Sequence, residues 1–388
     1  MSGRAHSRRS LLRAGTLGLA GAALTGCGSA GRDGYATAVA ATWRHASGIP
    51  ETPAGVLAEL VRYATLAPST YNSQCWRFRA TRTAITLLPD PDRRSPAVDP
   101  DDHHVHVSLG CAVENVVQSA ASVGLGSVVV TGPTAADGVT VHLEVTAPFP
   151  SPMAAAIPER QTTRTAYDGK PVPAVELTRL ERVAGAPGVT PVFVTGAVQK
   201  RRLLELAAAA NREWYADPGR RAELKRWTRF DDATALATRD GLAPAPAGRV
   251  PLPPGLGGAL FDLLAASDRQ TDRLVAEVRS SPGLLAFVAA VDDRAHWIET
   301  GRAFQRFALL STALGIRHAW VNAPTEHPAL RPRLGMELGE PAGRPSLLLR
   351  FGYGPARPRS LRRDLTREIA GLEPEGSPLA ERLAPPST

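Results

Sequence analysis

Two stretches far apart in the chain end a long, apolar-striped helix in the same way. That recurrence limits the fold more than any other feature. Ala121-Ser122-Val123-Gly124-Leu125 and Thr312-Ala313-Leu314-Gly315-Ile316 each put a glycine where a helix end calls for a left-handed residue, and an apolar run of strand type follows. The first helix reads from Asp101 to Val123, with Leu109, Val113, Val116, Val117 and Ala120 as its buried stripe, and the second from Ala295 to Leu314. Either the chain is a diverged duplication or a common join has arisen twice.

Residues 51–150 read as a first half and 155–365 as a second. In the first, Thr52-Pro53 opens a helix whose apolar positions Val56, Leu57, Leu60, Val61 and Ala64 stop at Pro68. Strands are expected over 76–80 and 84–88, Val128-Val129-Val130 reads as a buried strand, and residues 139–145 alternate at period two. The second half repeats the theme, with helices over 177–183 and 201–215 and strands over 192–194, 284–291, 319–321 and 347–351. Residues 28–50 lack strong periodicity and read as a tether, and 366–388 as a C-terminal tail. The segment 214–258 is rich in Arg and Asp and then runs through Pro244, Pro246, Pro251, Pro253 and Pro254, too dense for interior helix or sheet. It is a dispensable loop or a lid over a site, and Trp227 and Phe230 beside basic residues favour the lid.

With 388 residues, 43% hydrophobic and 21% charged, the chain can bury a large core. Its formal charge of +8 hints at nucleic acid, but residues 1–27 carry four arginines and no acid, and no basic block interleaved with aromatics follows. Nucleic acid is not expected as a partner. Those first residues read as an address. The run Ser7-Arg8-Arg9-Ser10-Leu11-Leu12-Arg13, a short apolar stretch and Leu24-Thr25-Gly26-Cys27 resemble a twin-arginine export signal ending in a lipobox. The implication is cleavage before Cys27, lipidation of that thiol, and anchoring on the outer face of the cytoplasmic membrane. No other apolar stretch reaches the ~20 residues of a spanning helix.

Cys75 and Cys111 are expected to be buried free thiols. No Gly-x-Gly-x-x-Gly, P-loop, His-Glu-x-x-His or Gly-x-Ser-x-Gly is present. Asp99, Asp101, Asp102, His103, His104 and His106 look like a metal cluster. Yet Asp99-Pro100-Asp101 suits a helix start, and the histidines are expected on different faces of that helix, so no metal is expected.

Three segments concentrate polar chemistry. Residues 67–78 place Ser69, Thr70, Asn72 and Gln74 at a helix–strand join, either as a self-bonded turn or as a set of groups that bind a planar heterocycle. Glu159-Arg160-Gln161-Thr162-Thr163-Arg164 brings two guanidiniums and hydroxyls together, either as a solvated turn or as a site for a phosphate monoester. Arg357, Arg359, Arg362 and Arg363 follow the last strand. Together these segments resemble the nitroreductase superfamily of FMN-binding oxidoreductases. Pro68-Ser69-x-x-Asn72-x-Gln74-x-Trp76-x-Phe78 is similar to its flavin-contacting loop. Arg160-x-Thr162-x-Arg164 is similar to its phosphate motif, and Phe351-Gly352-Tyr353-Gly354 with Arg362-Arg363 to its closing strand and arginine tail. Because the loop precedes the arginine motif, the chain resembles the Acg-like branch, in which two halves of one chain imitate the family homodimer.

The resemblance implies an α+β nitroreductase-like fold of two pseudo-symmetric halves, a monomer, and one FMN. Pro68, Ser69, Thr70, Asn72, Gln74 and Asn322 would face the flavin ring. Arg160, Gln161, Thr162, Arg164, Arg362 and Arg363 would hold the phosphate. Chemistry resides in the flavin, so no catalytic side chain is implied. It further implies a reductase of a nitro compound, quinone or similar acceptor, served by a small-molecule electron donor. The alternative is a protein that sequesters a covered flavin with little turnover, and a weaker third reading is a dehydrogenase of the dehalogenase or cobalamin-processing type.

Overall fold

The structure is a computed structural model that describes residues 33–253, 255–265, 268–364 and 369–370. The export signal with Cys27, and the tail apart from Ile369–Ala370, lie outside these residues. In chain order the elements begin with α1 (residues 33–42), α2 (Pro53–Thr65), β1 (Trp76–Thr81), β2 (Ala84–Pro89), α3 (His103–Ser122), β3 (Leu125–Thr131) and β4 (Val139–Val145). Then come α4 (Pro152–Ala156), α5 (Ala174–Ala184), β5 (Val189–Val194), α6 (Ala197–Ala216), α7 (Pro218–Trp227), α8 (Asp232–Thr238), α9 (Pro244–Ala247), α10 (Leu256–Ala265) and α11 (Arg269–Arg279). The last are β6 (Gly283–Ala289), α12 (Arg294–Ala313), β7 (Arg317–Trp320), α13 (Ala323–Glu326), α14 (Arg331–Leu338), β8 (Arg344–Gly352) and β9 (Ile369–Ala370).

Helices start where side chains satisfy the first free N–H groups. Thr52 Oγ1 accepts from Gly55 N at 3.1 Å, and Asp293 caps α12 through His296 N at 2.9 Å. Asp99 serves α3, accepting from His104 N at 3.0 Å and Val105 N at 3.1 Å.

The strands form two sheets, ordered β3-β4-β2-β1-β9 and β5-β6-β8-β7. Putting β5, β6, β8 and β7 for β1, β2, β4 and β3 turns one order into the other, and these pairings are antiparallel in both. The twenty-residue helices α3 and α12 cross between the sheets. Their crossing is reciprocal. A Cβ on Gly110 would collide with the carbonyl oxygen of Ile298, and one on Gly301 with that of Val107. The shift in numbering that carries Gly110 onto Gly301 also carries Val107 onto Ile298 and Gly124 onto Gly315. One apolar core spans both halves, from Val56 and Trp76 to Phe304, Phe307 and Phe351. The fold is therefore α+β, built as two pseudo-symmetric halves around one core.

Three expectations need correction. Within the expected tether 28–50, residues 33–42 form α1, which is docked. Tyr35 and Trp43 are buried, Tyr35 Oη donates to Arg359 O at 2.9 Å, and Trp43 Nε1 donates to Ser360 O at 2.8 Å. Two aromatic anchors on a distant segment leave no periodic trace. Residues 128–130 belong to the edge strand β3, where Val128 and Val130 are exposed. The proline-rich segment contains helix, since Pro244 and Pro246 sit in the first turn of α9, where no intrahelical N–H is required. No helix among the described residues is long and apolar enough to cross a membrane.

Candidate functional site

The join between α2 and β1 is held in a strained shape. Tyr71, Asn72 and Gln74 have φ near +55°, a region costing roughly 1–2 kcal/mol for each non-glycine residue. Side chains pay that cost. Asn72 Nδ2 donates to Gly241 O and Leu361 O, both at 3.2 Å, and its Oδ1 accepts from Arg362 at 2.8 Å. Gln74 Nε2 donates to Arg239 O at 2.9 Å, and its Oε1 accepts from Arg363 N at 2.8 Å. Ser69 Oγ accepts from Gln74 N at 2.9 Å.

The arginine tail is part of the same scaffold. Arg362 donates to the carbonyls of Thr65, Leu66 and Ala67 at the end of α2, where a cation also suits the helix dipole. Burial, reinforced by the charge of Arg160, brings its pKa down to about 9. Arg363 donates to Gln74 O and Trp76 O, each at 2.9 Å. Gln161 and Arg357 bond reciprocally, Thr162 pairs with His318, and Arg160 donates to Leu66 O at 3.0 Å from a buried position. Asn72, Gln74, Arg160, Gln161, Thr162, Arg362 and Arg363 thus do not line the cavity that the loop borders. The resemblance implies that they touch the cofactor; the structure shows them bonded within the scaffold. Arg362 directs its donors to four carbonyls and Asn72, whereas Arg160 Nε and Nη1 are buried with no partner among the described residues.

The cavity holds about 310 Å³. Pro68, Ser69 and Thr70 form one wall, Ser108 and Cys111 of α3 another, and Trp320 and Asn322 a third. Asn322 Oδ1 accepts from Leu348 N at 2.9 Å, so its amide nitrogen has no partner among the described residues. Trp214, Tyr215, Leu242 and Ala247 come from the segment expected as a lid. That segment is pinned as a roof, with Asp240 bridging Arg93 at 2.8 Å and Arg229 at 2.5 Å, and Gly241 N donating to Asn72 O at 3.2 Å. Cys75 and Cys111 are buried and free, and Cys111 touches the cavity.

Arg164, Arg249 and Arg273 also line it. Burial, and then the charges of Arg249 and Arg273, pull Arg164 below its usual value, with Glu277 opposing. Arg273 Nη2 donates to Arg164 O at 3.1 Å and pairs with Glu277 at 2.8 Å, and Glu277 pairs with Arg350 at 2.7 Å. The guanidiniums of Arg164 and Arg249 make no hydrogen bond or ion pair with another described residue. One carboxylate among four arginines leaves this part of the cavity positive and suited to a dianion. Of the expected arginines only Arg164 reaches it. Arg249 and Arg273 carry no motif, and the only sequence signal was the basic character of the lid segment around Arg249.

The His103 and His104 rings lie 4.6 Å apart, both buried; His103 and His106 pack on Trp297, while His104 lines the cavity. His104 Nε2 sits 3.4 Å from Glu326, and Trp214 Nε1 donates to the other oxygen of that carboxylate at 2.9 Å.

No protein-family model matches the chain. A Mycobacterium tuberculosis protein whose name assigns it provisionally as an NAD(P)H nitroreductase is 29% identical over 321 residues, covering 79% of this chain and 88% of the relative. Among solved structures, a Bacteroides fragilis nitroreductase with bound FMN is 16% identical and covers 54% of this chain and 94% of its own, with a TM-score of 0.33. The FMN-dependent nitroreductase NfnB of Mycobacterium smegmatis, in complex with NADPH, is 18% identical and covers 52% and 87%, with a TM-score of 0.34.

Proposed function

Proceeding from this likeness to nitroreductases, we propose that the chain is an FMN-dependent oxidoreductase of that superfamily, in its Acg-like branch. It passes electrons from a nicotinamide donor to a small acceptor such as a nitro compound or quinone. One observation carries the reading: a cavity with unpaired guanidiniums, Arg164 and Arg249, that also presents the hydroxyls of Ser69 and Thr70 and the amide of Asn322. A phosphate monoester joined to a planar, hydrogen-bonding ring fits that set.

Arg164, Arg249 and Arg273 would hold the phosphate, and Ser69, Thr70 and Asn322 the polar edge of the ring. When bound, the flavin supplies hydride and electron transfer. The protein's own part is to orient the reactants and to exclude water beneath Trp214, Tyr215 and Leu242. Pro68 also lines the cavity. The pinned roof favours a second reading, a flavin-sequestering protein with little turnover. Arg8-Arg9 and Leu24-Thr25-Gly26-Cys27 support export and lipid anchoring at Cys27 of a monomer.

The test is a visible spectrum of the purified protein after FMN loading, followed by anaerobic NADPH. Bleaching supports the reductase. A persistent oxidised spectrum supports the sequestering protein or another donor. A colourless protein that takes up no FMN overturns both readings.

A further inference from the structure

We infer that Asp99, His103 and His104 form a binding site for a divalent transition-metal ion of the zinc or iron class, at the start of α3. All three side chains are buried, and one potential ligand atom from each lies within 4.8 Å of the others. The second observation is independent of that grouping. His103 is 3% exposed, and its Nε2 is buried with no hydrogen-bond partner among the described residues. An unsatisfied buried polar atom is destabilising, and a metal bond removes that cost.

Asp102 occupies the left-handed region immediately before the first helical residue, the His103 and His104 rings lie 4.6 Å apart, and His103 packs edge-on to Trp297. Asp99 is held in place by the N–H groups of His104 and Val105. Glu326, 3.4 Å from His104 Nε2, stands where an outer carboxylate would orient a histidine ligand. Arg344, a nearby cation, is already paired with Asp101 and Asp292. Two imidazoles and one carboxylate leave further coordination positions for water or substrate, and His104 also lines the cavity.

This inference does not depend on the flavin reading. The chelator-treated full chain is titrated with Co2+, whose visible d–d bands report nitrogen and oxygen ligation, and then with Zn2+ as competitor. The expected result is saturable binding of one ion, displaced by Zn2+. His103→Gln and Asp99→Asn should each weaken it at least tenfold, and His142→Gln on the exposed face of β4 should leave it unchanged. FMN uptake is recorded for every protein, so a chain that binds Co2+ but no FMN overturns only the flavin reading. No saturable binding by the folded wild-type chain overturns the metal site, as does equal binding by His103→Gln. Should a variant fail to fold, a wild-type unfolding temperature that does not rise with Zn2+ has the same force.

Discussion

The shift in numbering that superposes α3 on α12 also relates two cavities. The first is the one described above. The second, of about 550 Å³, is lined by Val129, Thr131, Ala186, Pro187, Ile298, Glu299, Arg302 and Arg306. Trp320, Asn322, Val107, Ser108 and Cys111 of the first correspond to Val129, Thr131, Ile298, Glu299 and Arg302 of the second. The backbone provides both, but their chemistry has diverged. Charges in the second are matched: Arg302 pairs with Glu299 at 2.8 Å and Glu114 at 3.2 Å, and Arg306 pairs with Glu114 at 3.2 Å and Glu299 at 3.4 Å. In the first, Arg164 and Arg249 are unmatched.

The roof differs as well. β1 joins β2 through residues 82–83, whereas β5 joins β6 through residues 195–282, which contain α6 to α11 and supply Trp214, Tyr215, Arg249 and Arg273 to the first cavity. The second cavity carries no unpaired charge, so a cavity alone does not distinguish the candidate site. One insertion and a charge imbalance do.

The largest effect should come from the symmetric part. Gly110→Ala and Gly301→Ala each force carbonyl and Cβ together, and each should destabilise the fold by about 3 kcal/mol or prevent folding. Denaturant melts giving clearly unequal costs would break the two-fold equivalence. Next, Arg164→Ala should weaken FMN binding 10- to 100-fold, the loss of a charged hydrogen bond worth roughly 1.5–3 kcal/mol. Arg302→Ala should leave it unchanged. Fluorescence titration reads both, and a comparable loss in the two variants would mean that flavin uses the second cavity.

Asp240→Asn should speed flavin release several-fold in stopped-flow measurements, because it removes the two arginine partners of the roof. Against the upward push of burial, hydrogen bonds from Arg93 and Arg229 hold Asp240 below its ordinary pKa. The stability it contributes is therefore complete above about pH 4, the unfolded value, and is lost as pH falls through the lower folded value. Melting temperatures of wild type and Asp240→Asn should draw together at acid pH. The smallest effect is expected of Glu299→Gln. It should cost about 1 kcal/mol or less in thermal unfolding, since Arg302 and Arg306 keep Glu114.

Much of the architecture was legible because it is local. Thr52-Pro53 and the Gly124 and Gly315 turns act within a few residues of themselves, and the helices and strands they bound appear within a few positions of the expected limits. The residues around Pro68 were also marked, since hydroxyls and amides crowd a helix–strand join. Their division of labour was not. Pro68, Ser69 and Thr70 meet the cavity, while Asn72 and Gln74 face Gly241, Arg239 and the C-terminal segment. A choice between those directions depends on chain that is remote in sequence.

The sequence by itself determined several of the helices and strands in each half, the paired long helices and a loop rich in polar groups, because spacing, capping and turn chemistry act over short range. Only the tertiary structure decided which arginines are available to a ligand. Arg362 and Arg363 are occupied by carbonyls at the α2–β1 join, whereas Arg249 and Arg273, from the insertion, line the cavity with Arg164. A guanidinium has the same donors wherever it stands. Its role is set by which acceptors the rest of the fold brings within about 3 Å of it.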